Sequence, residues 1–103
     1  MPPQRLYEIR YETAARLAVE EAEGKWARAE DAIAVMEFAV ARDRTAGKAL
    51  TESGMTRSFT VPGAASIGLP TLIVVYEIQD IFELIVIHSV RFEDASAQTY
   101  TVH

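Results

Sequence analysis

The sequence predicts an α+β domain: an N-terminal strand, two helical segments, then a three-stranded antiparallel sheet. Three observations predict it. Residues 13–43 form a proline-free stretch rich in Ala, Glu and Arg, all good helix formers. Residues 55–61 alternate apolar or long side chains with Thr and Ser, the period of a strand. Two strongly apolar runs, Leu72–Ile78 and Leu84–Val90, are joined by a connection too short for anything but antiparallel pairing.

Taken in order, Leu6–Tyr11 alternates and reads as a first strand. Glu12 or Thr13 then starts a helix, with Arg16 where a full capping box would have Glu. Gly24 is the weak point of the helical stretch, so two helices, or one broken near Gly24, are expected. Trp26, Ala29, Ile33, Met36 and Val40 recur at spacings of three and four and mark the face turned to the core. Glu20, Glu21 and Glu23 read as a solvated face. Arg42 and Arg44 complement the negative end of the helix, which Gly47 is placed to terminate. Thr45–Gly54 reads as loop and Met55–Val61 as strand, stopped by Pro62-Gly63. A loop over Ala64–Pro70 leads into Thr71–Ile78, a turn at Gln79–Phe82, and Glu83–Phe92. The tail, 94–103, is expected to stay loose or to add a short edge strand through Tyr100 and Val102.

The final hairpin has two apolar faces. Leu72, Val74, Tyr76 and Ile78 point one way, and Ile73 and Val75 the other. In the partner strand Ile85 and Ile87 oppose Leu84, Val86 and Val90. One helical layer covers one face, so the other calls for a partner chain, a second copy or the tail. Burying each such Leu, Ile or Val contributes roughly 1.5–3 kcal/mol, so three or four suffice for tight association.

Composition narrows the chemistry. The 103 residues suit one domain with one core. A net charge of −5 argues against a broad non-specific nucleic-acid surface. The absence of cysteine removes thiolate chemistry and Cys-ligated zinc, and two distant histidines give no metal-ligand spacing. No metal or cofactor is therefore expected. No apolar run approaches the roughly 20 residues that span a bilayer, and the N-terminus lacks a signal-peptide core, so a cytoplasmic protein is expected.

Four segments carry a family resemblance: Gly47-Lys48-Ala49-Leu50, Thr56–Gly63 with Arg57 in it, Leu72–Asp80, and Leu84–Arg91. Together with the order of elements, they resemble the RelE/ParE toxin superfamily across Leu6–Phe92. The resemblance implies a toxin of a type II toxin–antitoxin (plasmid stabilisation) pair, bound by an antitoxin that buries apolar surface. RelE-like members cleave ribosome-bound mRNA, whereas ParE-like members bind DNA gyrase without catalysis. By this resemblance Arg57, His88 and Arg91 are the candidate catalytic residues, Arg57 matching the family's strand arginine. Lys48 reads as solvated, and His88 on an apolar strand also reads as a packed histidine. Ile73 stands where the family commonly has Arg, and Phe92 where many members have His. With the acidic balance, these departures favour the non-catalytic, ParE-like role over the mRNA endoribonuclease. A small self-associating protein, dimeric through its hairpin and without toxin activity, is the alternative from another class.

Overall fold

The computed structural model describes residues 6–95. The tail with Tyr100, Val102 and His103 lies outside the described residues. The element order is β1 (Glu8–Tyr11), α1 (Thr13–Lys25), α2 (Ala29–Arg42), β2 (Lys48–Ala49), β3 (Thr56–Val61), β4 (Thr71–Gln79) and β5 (Leu84–Glu93), with 3-10 turns at Ala65–Ile67 and Asp80–Phe82. The α+β class and the two helical segments are as expected. The sheet differs. It has five strands in the order β1-β5-β4-β3-β2, not three. β1 joins it parallel to β5, and the other pairs are antiparallel. The region expected to be all loop contributes β2, whose Lys48 and Ala49 pair with Ser58 and Arg57.

The helices form where the composition places them, and the break falls near Gly24, just beyond it at residues 26–28. That glycine is inside α1, where a Cβ would point into open space with nothing beyond the helix's own backbone within 4 Å. α1 stops after Lys25, where the Trp26 N–H still donates to the Ala22 carbonyl at 2.8 Å, and α2 restarts at Ala29. Glu30 and Asp31 in the first turn of α2 and Arg42 in its last match the polarity of the helix. Trp26 therefore precedes the α2 stripe. It is half-exposed and stacks on Phe92, centroids 5.9 Å apart, rather than entering the core.

The core lies between the helices and one face of the sheet. Ala15, Ala32, Met36 and Val40 pack on Val61, Leu72, Val74, Tyr76, Ile78, Ile85 and Ile87. The alanines let the helix backbones approach the sheet closely, and Met36 fills the space between them. Near the middle of β5 the register slips: Val75 faces Ser89 while Tyr76 faces Ile87, leaving His88 as an extra residue. This β-bulge changes which side chains face inward. Ile85 and Ile87 point to the helices before it, and Val90 and Phe92 pack against the core after it. Val90 thus shares a face with Ile85 and Ile87, contrary to strict alternation.

Gly47 does not end α2, which closes at Arg42 with the Asp43 N–H on the Ala39 carbonyl at 3.0 Å. Its role is close approach. A Cβ there would lie 2.6 Å from the Ser58 carbonyl oxygen and 2.9 Å from Tyr76 Oη. The Tyr76 hydroxyl donates to the Arg44 carbonyl at 2.8 Å and accepts from the Gly47 N–H at 3.0 Å, pinning the connection between α2 and β2 to the middle of the sheet. Among the described residues, no helix is long and apolar enough to cross a membrane.

Candidate functional site

Among the described residues, no helix or strand covers the sheet face turned away from the helices. On β4 it presents Ile73, Val75 and Glu77, all half-buried, and on β5 Val86, His88, Ser89 and Arg91. Its apolar part is the strip Ile73, Val75 and Val86, narrower than two-sided alternation suggested.

His88 is the centre of this face. It points outward, two residues after Val86, between Glu77 on β4 and Glu12 at the junction of β1 and α1. Its Nε2 lies 3.0 Å from Glu77 Oε1, and its Nδ1 is hydrogen-bonded to Glu12 Oε1. Glu12 occupies the cap position of α1 but makes no side-chain cap bond, because its carboxylate serves His88. Burial pulls the His88 pKa down, but the hydrogen bonds and charges of Glu77 and Glu12 outweigh it, and the pKa is raised. The hydrogen bond from His88 in turn holds the Glu77 carboxyl below its usual range, with help from Gln79. When protonated, the ring donates an N–H to each carboxylate and ties three chain segments together.

The arginines of this face are matched as well. Arg10 pairs with Glu8 at 3.4 Å and Arg91 with Glu93 at 3.2 Å. A phosphodiester placed over His88 would meet Glu12 and Glu77, not a cluster of uncompensated cations. Charge stabilisation of an RNA-cleavage transition state needs the reverse arrangement.

His88 and Arg91 share the open face. Arg57 does not join them. In the β3–β4 register it sits opposite Tyr76, whose side chain is buried on the helix side, so it lies on the other face of the sheet. Its Nε donates to the Gly54 carbonyl at 2.7 Å and its Nη1 to the Gly47 carbonyl at 2.8 Å. A third bond reaches the Thr45 carbonyl at 3.3 Å. These bonds staple the loop around β2. Lys48 is exposed on β2.

Sequence reasoning missed Glu12 and Glu77. Glu77 carried a weak signal, since alternation through Tyr76-Glu77-Ile78 places it opposite the buried pair. Glu12 carried none, because its contact with His88 depends on the parallel docking of β1. Among the described residues, no group of His, Asp and Glu is arranged to hold a metal.

No family model matches the chain, and no curated protein does. Among solved structures, it is similar to a chain of the toxin-antitoxin complex RelBE2 from Mycobacterium tuberculosis. The TM-score is 0.62 at 22% sequence identity, over 88% of this chain and 95% of that one. The chain therefore has the fold of a protein found in a toxin–antitoxin complex, as its resemblance to the RelE/ParE superfamily implied.

Proposed function

We propose that this chain is the toxin of a type II toxin–antitoxin pair, working in the cytoplasm in the ParE-like manner. It is bound by a cognate antitoxin and arrests growth by holding a target protein, not by cutting RNA. The shared fold supports the toxin reading. The observation that carries the non-catalytic choice is the setting of His88: both ring nitrogens engage carboxylates, and the arginines of the same face are paired.

The test is induced expression of the chain alone. Growth should stop, and co-expression of the small protein encoded beside it should restore growth. His88→Ala and Arg91→Ala should arrest growth as the parent does, with mRNA intact and DNA supercoiling altered, as a gyrase target requires. Site-specific mRNA cleavage lost in those two variants would establish the endoribonuclease reading instead. That second reading has one observation in its favour, the placement of His88 and Arg91 on one open face.

A further inference from the structure

We propose that His88 is a proton-operated latch on the start of α1. With its proton on, the ring holds the Glu12 carboxylate against β5. With the proton gone, it keeps Glu77 and releases Glu12 to the N–H groups of the first turn of α1.

Three separate segments build the cluster: Glu12 at the start of α1, Glu77 on β4 and His88 on β5. Nδ1 of the ring is bonded to Glu12 Oε1, and Nε2 lies 3.0 Å from Glu77 Oε1. Ionised carboxylates only accept, so a ring between two of them must donate from both nitrogens. Only the protonated ring does so. Neutral imidazole has one N–H and one lone pair, which leaves one carboxylate facing a lone pair. Loss of a single proton therefore breaks one of the two bonds, whichever tautomer results.

The surroundings decide which bond breaks. Glu77 is held a second time, because its Oε2 accepts from Gln79 Nε2 at 3.3 Å. It also stands on the strand that pairs with β5, opposite Val86. Its side chain is 38% exposed, against 49% for Glu12. Glu12, by contrast, has another place to go. It occupies the cap position of α1 in an extended conformation, and its carbonyl accepts from the Arg16 N–H at 2.9 Å. The N–H groups of Thr13, Ala14 and Ala15 have no acceptor within the helix. Glu12 makes no side-chain bond to them, and the first turn of α1 carries no acid, whereas α2 begins with Glu30 and Asp31. The positive end of α1 is left beside a carboxylate that the ring has drawn away. Once Nδ1 is bare, repulsion by its lone pair and attraction by the helix end act in the same direction.

The other charges around the ring have partners of their own. From α1, Arg16 lies over the Tyr11 ring, 5.4 Å from its centroid. On β1, Arg10 pairs with Glu8 at 3.4 Å, and on β5 Arg91 pairs with Glu93 at 3.2 Å. Burial opposes the charged ring, but the bonds and charges of Glu77 and Glu12 outweigh it. The latch is thus closed at low pH and opens as pH rises through the folded pKa of His88. Opening changes what the outward face offers a partner: a ring engaged at both nitrogens becomes one with a bare acceptor, and Glu12 is withdrawn to the helix.

The test is NMR of the 15N-labelled chain between about pH 5 and pH 10, with His103→Asn leaving His88 as the single histidine. Above the midpoint the ring nitrogens should report the Nε2–H tautomer, the one that keeps Glu77. The amide protons of Ala14 and Ala15 should move downfield, the direction of a newly formed hydrogen bond, with the same midpoint as the ring. His88→Gln and Glu12→Gln should each abolish that movement. Glu77→Gln should convert the neutral ring to the Nδ1–H tautomer and leave Glu12 in place, so that the two amides no longer respond.

An Nδ1–H ring in the parent at high pH would overturn the proposal. So would amides that stay still while the ring titrates. Both are read on the parent alone, so they decide the matter even where a variant does not fold. Amide movement that persists in His88→Gln or Glu12→Gln, or a Glu77→Gln ring that stays Nε2–H, would overturn it as well. Every readout is taken on the isolated chain, so the latch stands or falls independently of the toxin reading.

Discussion

Removing one oxygen, in Tyr76→Phe, tests how the α2–β2 connection is held. The Tyr76 ring is wholly buried, and its hydroxyl satisfies the Arg44 carbonyl at 2.8 Å and the Gly47 N–H at 3.0 Å. Phenylalanine keeps the packing and leaves both backbone groups without that partner. Gly47 is buried, so water replaces the lost acceptor poorly. An orphaned buried group costs about 1–3 kcal/mol, which sets the expected loss in urea unfolding with an unchanged m-value. Each kcal/mol corresponds to about 4–8 °C in Tm for a domain of this size. Tyr7→Phe is the control. The Tyr7 hydroxyl also makes a short bond, 2.6 Å to Asp80, but an exposed one, so its loss should cost less. Arg57 grips the same loop through the Gly47 carbonyl, so Tyr76→Phe and Arg57→Ala should be non-additive in a double-mutant cycle. A loss below about 0.5 kcal/mol, the range of ordinary surface substitutions, would refute the claim that this hydroxyl holds the connection.

Two further predictions concern charge and surface. His88→Gln should remove a pH-dependent contribution. The folded pKa of His88 is raised above 6.5, so the stability it brings is fully present below that value and is lost as pH rises through the folded pKa. The difference between parent and variant in urea midpoints should therefore be larger near pH 5.5 than near pH 9, and a pH-independent gap would contradict the charged clamp. Ile81 and Phe82, 90% and 72% exposed in the β4–β5 turn, contribute nothing to the core, so replacing both with Ser should leave the unfolding midpoint within about 0.5 kcal/mol of the parent. If this tip contacts the target, the same double variant loses growth arrest while remaining folded.

What the sequence disclosed and what it hid divide along physical lines. Periodicity found the two helices and the inward set Leu72, Val74, Tyr76 and Ile78, because local spacing determines which side chains share a face. It could not find β2, whose two residues are a strand only by virtue of Ser58 and Arg57 opposite. Nor could it find the parallel docking of β1 on β5, a contact between distant segments. The bulge at His88 broke the period-two rule and moved Val90 to the other face. Trp26 fitted the helical stripe numerically, yet the helix ends one residue before it. Of the candidate site residues, His88 and Arg91 fall on one face because both follow the geometry of β5. Arg57 matched a family pattern, but its side chain is taken by the carbonyls of its own loop.

The position of β5 between β1 and β4 also dictates the order in which the molecule can be assembled. A nascent chain that has not yet reached Leu84 has no neighbour to offer its first strand, and Ile85 and Ile87 are missing from its core. Folding must wait for nearly the whole chain, since contacts between segments this far apart close slowly and late. During that interval the apolar side chains of β4 are uncovered and open to capture by another protein. On the toxin reading proposed above, this delay is a period in which an antitoxin already present can meet its partner before folding is complete.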